Sequence, residues 1–336
     1  MSTRLGEIKN WINAVLATPQ IDNLQYIQSD ASSRKYLRLT CADKSFIIMD
    51  TQPGEEMGRF IKIAEILEKH GLAVPHIISA DLDQGLILMT DLGGSMYLQQ
   101  LNNADARTTD KLYLDAMTAL IKMQTIASAA NDYKFPVMNS DYISNRLEVF
   151  ANWYLQRHLN LKIDTETTAV LNKMQKLFEA SFQEHPPLFV HVDYHSRNLM
   201  VLNDNNPGIL DFQDAMLGPC TYDLVSLFQD AYISYPRAQV EKWVETYTQL
   251  AIEAGLLQPQ VSSHEILRNF DIVGLQRHIK NLGVFARLHH RDKKSNYLKD
   301  IPMLINYITD TCSRYPELSW LFDFLRDKTV EFVSID

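Results

Sequence analysis

With 336 residues, 46% of them hydrophobic, the chain can bury a large core, and its length suits one large two-lobed unit or about two domains. A formal net charge of -9 excludes the broad electrostatic footprint that nucleic acid demands, so a small molecule is the expected partner and nucleic acid is not. Cys41, Cys220 and Cys312 are far apart and odd in number, which fits neither a zinc spacing nor a disulfide framework and leaves them as buried thiols.

The start, MSTRLGEIKNWINAVL, carries Leu5, Ile8, Ile12, Val15 and Leu16 at helical spacing and reads as an amphipathic helix over 5–16. Its interleaved charges differ from the uninterrupted apolar core of a signal peptide, and no stretch approaches the ~18 apolar residues of a membrane span. No membrane insertion is therefore expected, and a cytoplasmic location is the default. After Pro19, LQYIQ at 24–28, KYLRLT at 35–40 and SFIIMD at 45–50 predict two or three antiparallel strands. Between the first two, SDASSRKY can turn backbone N–H groups and the Ser32 and Ser33 hydroxyls toward a phosphate, although a plain hairpin turn explains the same run. From Met57 to Lys69, Phe60, Ile63, Ala64 and Leu67 recur at i, i+3, i+4 and i+7, and Gly71 supplies the stop. VPHIISAD and GLILMTDLGG add two strands, the second ending in a Gly-Gly break.

From residue 93 the pattern turns helical, so the boundary is expected there, with one domain over 1–92 and a second over 93–336. Leu112, Ala116, Ala119, Leu120 and Met123 mark one helix, and Ile143, Leu147, Phe150 and Tyr154 another. Short apolar runs LFVHV and GILDF follow, then helical patterns at Tyr222–Ile233, Arg237–Ala254 and Leu267–His290. The sequence carries no signal of oligomeric state.

The chemistry concentrates in HVDYHSRNLMVLNDNNPGILDFQD, from His191 to Asp214. Asp193 stands two residues after His191, Asn198 five after Asp193, and Asp211 follows an apolar run in GILDF. Phosphoryl transfer needs positioning, charge neutralisation by a metal and a carboxylate that orients the attacking hydroxyl. Asp193 suits the last role, Asn198 and Asp211 offer the hard oxygen ligands that Mg²⁺ prefers, and His191 reads as structural. A metal-hydrolase cluster or plain polar loop residues are the competing readings. The order also resembles the protein-kinase catalytic loop H-R-D-x-x-x-x-N followed by a D-F-G-type aspartate.

Over nearly its whole length the chain resembles the aminoglycoside phosphotransferase family. The marks are DASSRKYLRL, FIIMDTQP, LMTDLGG, RLEVFANWYLQRHL, VDYHSRNLMVLNDNNPGILDFQDAMLGPCTYDLVSLFQDAYI and LQRHIKNLGVFARLHHRDKKSNYLKDIP. The resemblance implies an α+β, bilobal protein-kinase-like fold, with a small antiparallel-sheet lobe bearing one main helix and a larger, mostly helical lobe. It implies ATP and Mg²⁺ as cofactors, Asp193 as the base, Asn198 and Asp211 as metal ligands, and adenine held by the Thr90 carbonyl and Leu92 amide. Ser32, Ser33 and Arg34 would face the phosphates. The long C-terminal runs are similar to those of the family's amino-sugar kinases of bacterial cell-wall recycling. That implies an amino-sugar acceptor, N-acetylmuramate or N-acetylglucosamine, phosphorylated at its anomeric hydroxyl.

For the acceptor, Glu148, Arg146, Arg157, Arg277, His278 and Lys280 are the suspects, and Asp214 is a sugar or metal contact or a helix cap. Two departures from the family pattern stand out. Met49 and Phe60 occupy the positions of the small-lobe lysine and its partner glutamate, which leaves Arg34, Lys35 or Arg38 to supply the missing cation. Val192 stands where many relatives have glycine, a change expected to alter loop packing only. Another acceptor, such as an aminoglycoside, a choline-like alcohol or a different sugar, and a nucleotide-binding pseudokinase module are the rival readings.

Overall fold

A computed structural model describes residues 2–17, 20–27, 34–128 and 133–328. The chain opens with α1 (Ser2–Val15), β1 (Asn23–Ile27), β2 (Lys35–Cys41), β3 (Lys44–Asp50), α2 (Glu55–Lys69), β4 (Ile77–Asp81) and β5 (Leu86–Thr90). Next come α3 (Tyr97–Leu101), α4 (Ala106–Gln124), α5 (Ser140–Val149), a π-helical run Phe150–His158 and α6 (Thr165–Phe182). Four short strands follow, β6 (Leu188–Val190), β7 (Leu199–Met200), β8 (Gly208–Ile209) and β9 (Met216–Gly218). Then come α7 (Tyr222–Phe228), α8 (Arg237–Glu253), α9 (Ser263–His290), α10 (Ile301–Arg314) and α11 (Ser319–Lys328). The chain forms two units, Met1–Gln100 with Arg197–Asp214, and Leu101–Ser196 with Ala215–Asp336.

The first unit is built on an antiparallel sheet of order β1-β2-β3-β5-β4. Alternation in β2 turns Leu37 and Leu39 inward, where they join Ile48, Leu86 and Leu88 with Ile8 and Ile12 of α1 in one core. The amphipathic stripe read at the N-terminus thus covers one sheet face. In α2, Glu55 and Glu56 complement the dipole of the first turn, while Met57, Phe60, Ile63, Ala64 and Leu67 are buried. Gly71, at φ 70°, ends that helix by donating to Glu68 at 2.8 Å while Leu72 donates to Leu67 at 3.1 Å, the paired bonds of a Schellman stop.

This unit ends at Gln100 rather than at residue 92, and it takes in a hairpin from much later in the chain. The cause is hydrogen bonding. The Val201 amide donates to the Ser95 carbonyl at 2.8 Å and the Ile209 amide to the Ala73 carbonyl at 2.7 Å. Asn206 donates to the Tyr97 hydroxyl at 2.7 Å, so 197–214 is stitched to residues before 100.

The second unit is organised around α9, 28 residues long and buried along most of its length. A capping box between Ser262 and Glu265 starts it. The π-helical run, α10, α7, α8, α5 and α6 all pack on it. Gly283 permits the closest approach, since a Cβ there would stand 2.6 Å from the Val149 carbonyl oxygen and 2.7 Å from the Phe150 nitrogen. Antiparallel β6 and β9, paired through Phe189 and Leu217, lead the chain into its polar loop. The helix expected over Tyr222–Ile233 stops at Phe228, where Asp230 accepts the Tyr232 amide at 3.2 Å in place of further helical bonds. Among the described residues, no helix is long and apolar enough to cross a membrane.

Candidate active site

In the second unit the loop after β6 is pinned at both ends by one helix and its tail. Asp223, fully buried in the first turn of α7, accepts the backbone N–H of His191 at 2.6 Å and of Val192 at 3.0 Å. Seven residues on, Asp230 accepts the Ser196 amide at 3.1 Å and its hydroxyl at 2.5 Å. Burial pushes the Asp223 carboxyl up to about 7 although both amides pull the other way. Within the loop Val192 has φ 82°, a left-handed conformation that β-branched residues avoid. The valine therefore does more than alter packing: it is held in backbone strain that glycine would not feel.

Asp193 projects from this loop with its side chain 40% exposed, and the Arg277 guanidinium lies 3.6 Å from its carboxylate. Arg277 is fixed in turn by donating from Nε to the Ser226 hydroxyl at 2.7 Å. Burial raises the Asp193 pKa, but Lys280, Arg277, His195 and His191 outweigh that and bring it down to about 2. The carboxylate is thus ionised throughout the neutral range. Lys280 responds oppositely: burial and the neighbouring arginines push it down to about 7 against the pull of Asp193. Arg146 of α5 lies 4.7 Å over the Tyr142 ring, and the Tyr142 hydroxyl meets that of Tyr222 at 3.0 Å.

In the first unit, the β7–β8 ladder pairs Leu199 with Ile209, and the Leu210 amide donates to the Asn198 carbonyl at 2.9 Å. This brings Asn198 and Asp211 to the same end of the ladder. Regular pleating would put them on opposite faces, since Asn198 stands across from Leu210, but Asp211 has φ 60° and leaves the pleat there. Gln213 donates to its carboxylate at 2.8 Å. One carboxylate and one amide oxygen on a partly exposed turn suit a hard divalent cation that completes its shell with phosphate and water oxygens. Among the described residues no group of three or more His, Cys, Asp or Glu gathers as a metal cage.

Met49 and Phe60 are both buried, and Phe60 stacks on Phe212 at 4.9 Å, so the lysine and glutamate positions are filled by core packing. Arg34, with 11% of its side chain exposed, reaches Glu56 of α2 at 3.4 Å and Asp211 at 3.9 Å. Arg38 is committed elsewhere, gripping Asp91 through two bonds of 2.6 and 3.1 Å and the Gly93 carbonyl at 2.8 Å. Lys35 is exposed on β2. Thr90 closes β5, its amide donating to the His76 carbonyl at 3.0 Å, and Leu92 follows beside the anchored Asp91. Ser32 and Ser33 lie outside the described residues.

The acceptor suspects separate. Arg146, Arg277 and Lys280 gather about Asp193, as the charges acting on Lys280 record. His278 turns into the core, stacked on Tyr307 at 4.8 Å, and burial drives it down to about 3. Arg157 is exposed. Glu148 lines a cavity of about 380 Å³ with Asn152, Gln156, Asn172 and Gln175, a cavity whose lining does not include Asp193. Asp214 ends a short turn in the first unit, and Thr221, not Asp214, occupies the N-cap of the next helix. Sequence reasoning missed Arg287, whose charge also reaches Lys280. Its spacing of seven from Lys280 was the available signal.

The model of the phosphotransferase enzyme family matches residues 23–258. The chain belongs to this family. A relative in Pseudomonas aeruginosa named N-acetylmuramate/N-acetylglucosamine kinase is 40% identical, the alignment covering 88% of this chain and 86% of the relative. One of the same name in Pseudomonas putida is 38% identical over 96% of both. An ADP-bound aminoglycoside phosphotransferase superposes with a TM-score of 0.61 at 15% identity, covering 93% of this chain and 99% of that one. That likeness bears out the protein-kinase-like α+β fold expected from the sequence. As a member of the family the protein is a phosphotransferase.

Proposed function

We propose that the protein moves the γ-phosphoryl group of ATP to the anomeric hydroxyl of N-acetylmuramate or N-acetylglucosamine, releasing ADP and a sugar 1-phosphate. The observation that carries the reading is Asp193: a carboxylate kept ionised by Arg277 and Lys280, on a loop clamped by Asp223, at the motif position of a kinase base. The names of the two Pseudomonas relatives support the acceptor. A bacterial cytoplasm, where ATP is supplied, is the compartment that suits this chemistry.

In this reading the Thr90 carbonyl and Leu92 amide hold adenine, and Ser32 and Ser33 face the phosphates. Arg34, oriented by Glu56, supplies the cation that Met49 does not. Asn198 and Asp211 would hold Mg²⁺, which neutralises phosphate charge when bound. Asp193 accepts the hydrogen bond of the anomeric hydroxyl. As that oxygen bonds to the γ-phosphorus and the bond to the ADP oxygen breaks, its proton passes to the carboxylate. A pKa of about 2 makes Asp193 a weak base, which a loose phosphoryl-transfer transition state tolerates because the proton moves late. The anomeric hydroxyl helps, since the ring oxygen withdraws charge from it.

Purified protein with ATP, Mg²⁺ and either sugar is expected to release ADP and give a product without a reducing end. Asp193→Asn is expected to abolish that release. A phosphorylated product that still reduces would move the reaction away from the anomeric carbon, and absence of turnover with both sugars would defeat the acceptor assignment.

A further inference from the structure

Arg277, Lys280 and Arg287 fall at i, i+3 and i+10 on α9, within one stripe of the helix, and Arg146 of α5 faces the same stripe. Four cations meet in one partly buried place on a chain whose net charge is -9. Like charges so placed oppose one another, and the depressed Lys280 and Arg287 pKa values reflect it, burial being the larger cause in each.

The acidic groups nearby do not balance them. Asp193 faces Arg277 and Lys280. Asp223 spends both oxygens on the His191 and Val192 amides. Asp292 attracts Arg287 but is gripped by Arg291 through bonds of 2.7 and 3.0 Å. Meanwhile the Nε–H groups of both Arg146 and Arg287 are buried and meet no acceptor among the described residues. A buried donor on a charged group is costly to leave unpaired. Tyr142 holds the Arg146 guanidinium over its ring, so this donor is oriented as well as unpaired.

We propose that Arg146 and Arg287 form a subsite for a carboxylate carried by the acceptor, so that an acidic N-acetylated sugar is preferred over its neutral counterpart. This rests on the reading of Asp193 as the group that receives the acceptor hydroxyl. Paired guanidinium groups match a carboxylate by planar, charge-assisted hydrogen bonds. The lactyl carboxylate of N-acetylmuramate has the required chemistry, N-acetylglucosamine lacks it, and a polycationic acceptor would be repelled.

The test compares binding of N-acetylmuramate and N-acetylglucosamine by calorimetry, with kcat/KM for each, in the wild-type chain, Arg146→Met, Arg287→Met and Arg287→Lys. Melting curves confirm that each variant is folded. The N-acetylmuramate to N-acetylglucosamine affinity ratio is expected to drop roughly 10- to 100-fold in each methionine variant, the worth of one charged hydrogen-bonding group. Arg287→Lys is expected to recover part of the ratio because it keeps the charge and loses the planar fork. An unchanged ratio, or wild-type protein that does not bind N-acetylmuramate, overturns the subsite while any turnover still upholds the sugar-kinase reading. Charge-selective binding that the variants lose, in a protein without turnover, upholds the subsite and overturns the kinase reading instead.

Discussion

Asp223 accepts the backbone N–H of Val192 at 3.0 Å, and the valine it holds there has φ 82°. A strained loop conformation persists only where its surroundings over-determine it, and a buried carboxylate taking two consecutive amides does so. Asp223→Asn replaces one acceptor oxygen with a donor facing an amide. It is expected to cost about 1–3 kcal/mol of stability and to lower kcat more than it raises KM, because the aspartate two residues from His191 loses its fixed position. Adding Val192→Gly should return part of the activity, since glycine adopts this backbone without the clamp. Steady-state kinetics of the two single variants and the double variant decide it: no recovery in the double variant would mean that strain is not what Asp223 opposes.

The pH dependence of stability follows from Lys280. In the unfolded chain it keeps its proton up to its ordinary value of 10.5, and in the folded protein only up to about 7. Between those values the unfolded chain binds more protons, so the Lys280 contribution to stability rises with pH, by at most about 1.4 kcal/mol per pH unit. Cys220 and Cys312 act in the opposite sense above pH 9, their thiols being pushed up to about 12 by burial. Urea midpoints compared between pH 7 and 9 should therefore climb more steeply for the wild-type chain than for Lys280→Met. Parallel curves would show that Lys280 stays charged in the folded state.

Local signals were legible and long-range partners were not. The α2 stripe and the Gly71 stop could be read because they depend on neighbours within two helical turns, and the motif that singles out Asp193, Asn198 and Asp211 lies within one continuous stretch of the chain. Strands β7 and β9, two and three residues long, are too short to show alternation. The hairpin 197–214 belongs with residues before 100 through bonds to Ser95 and Ala73, which no local pattern announces. Arg287 was lost for a related reason: on a long helix, a cation reads as part of a solvated face until the facing helix supplies Arg146. The missing small-lobe pair was read at Met49 and Phe60. The substitute proposed for it, Arg34 with Glu56, sits on different elements' starts, Glu56 one turn earlier in α2 than Phe60.

Arg38 is a structural cation. The Asp91 side chain it holds is 6% exposed and also receives the Ser45 hydroxyl at 2.6 Å and the Gly93 amide at 2.9 Å. Arg38→Met leaves that carboxylate buried with its charge partner gone, which should cost roughly 2–4 kcal/mol. Denaturant unfolding of the variant reads the loss, and ATP at saturating concentration should restore little of it. A change below about 0.5 kcal/mol would show that water replaces the arginine.

Arg34 should behave in the opposite way. Its partner Glu56 is 80% exposed, so the 3.4 Å pair is worth little to the fold, and Arg34→Met is expected to leave the unfolding free energy within about 0.5 kcal/mol of wild type. If Arg34 is the cation that meets the phosphates, its removal raises the barrier to transfer where charge develops. A fall of roughly 10²- to 10³-fold in kcat/KM for ATP is then expected, with kcat/KM for the sugar at saturating ATP falling by the contribution of kcat alone. Glu56→Gln leaves the guanidinium in place with less to orient it, so its effect should be smaller and should shrink further in the Arg34→Met background, as a double-mutant cycle would record. A variant that loses stability and keeps its ATP kinetics would reverse the assignment and leave the phosphates to a group other than Arg34.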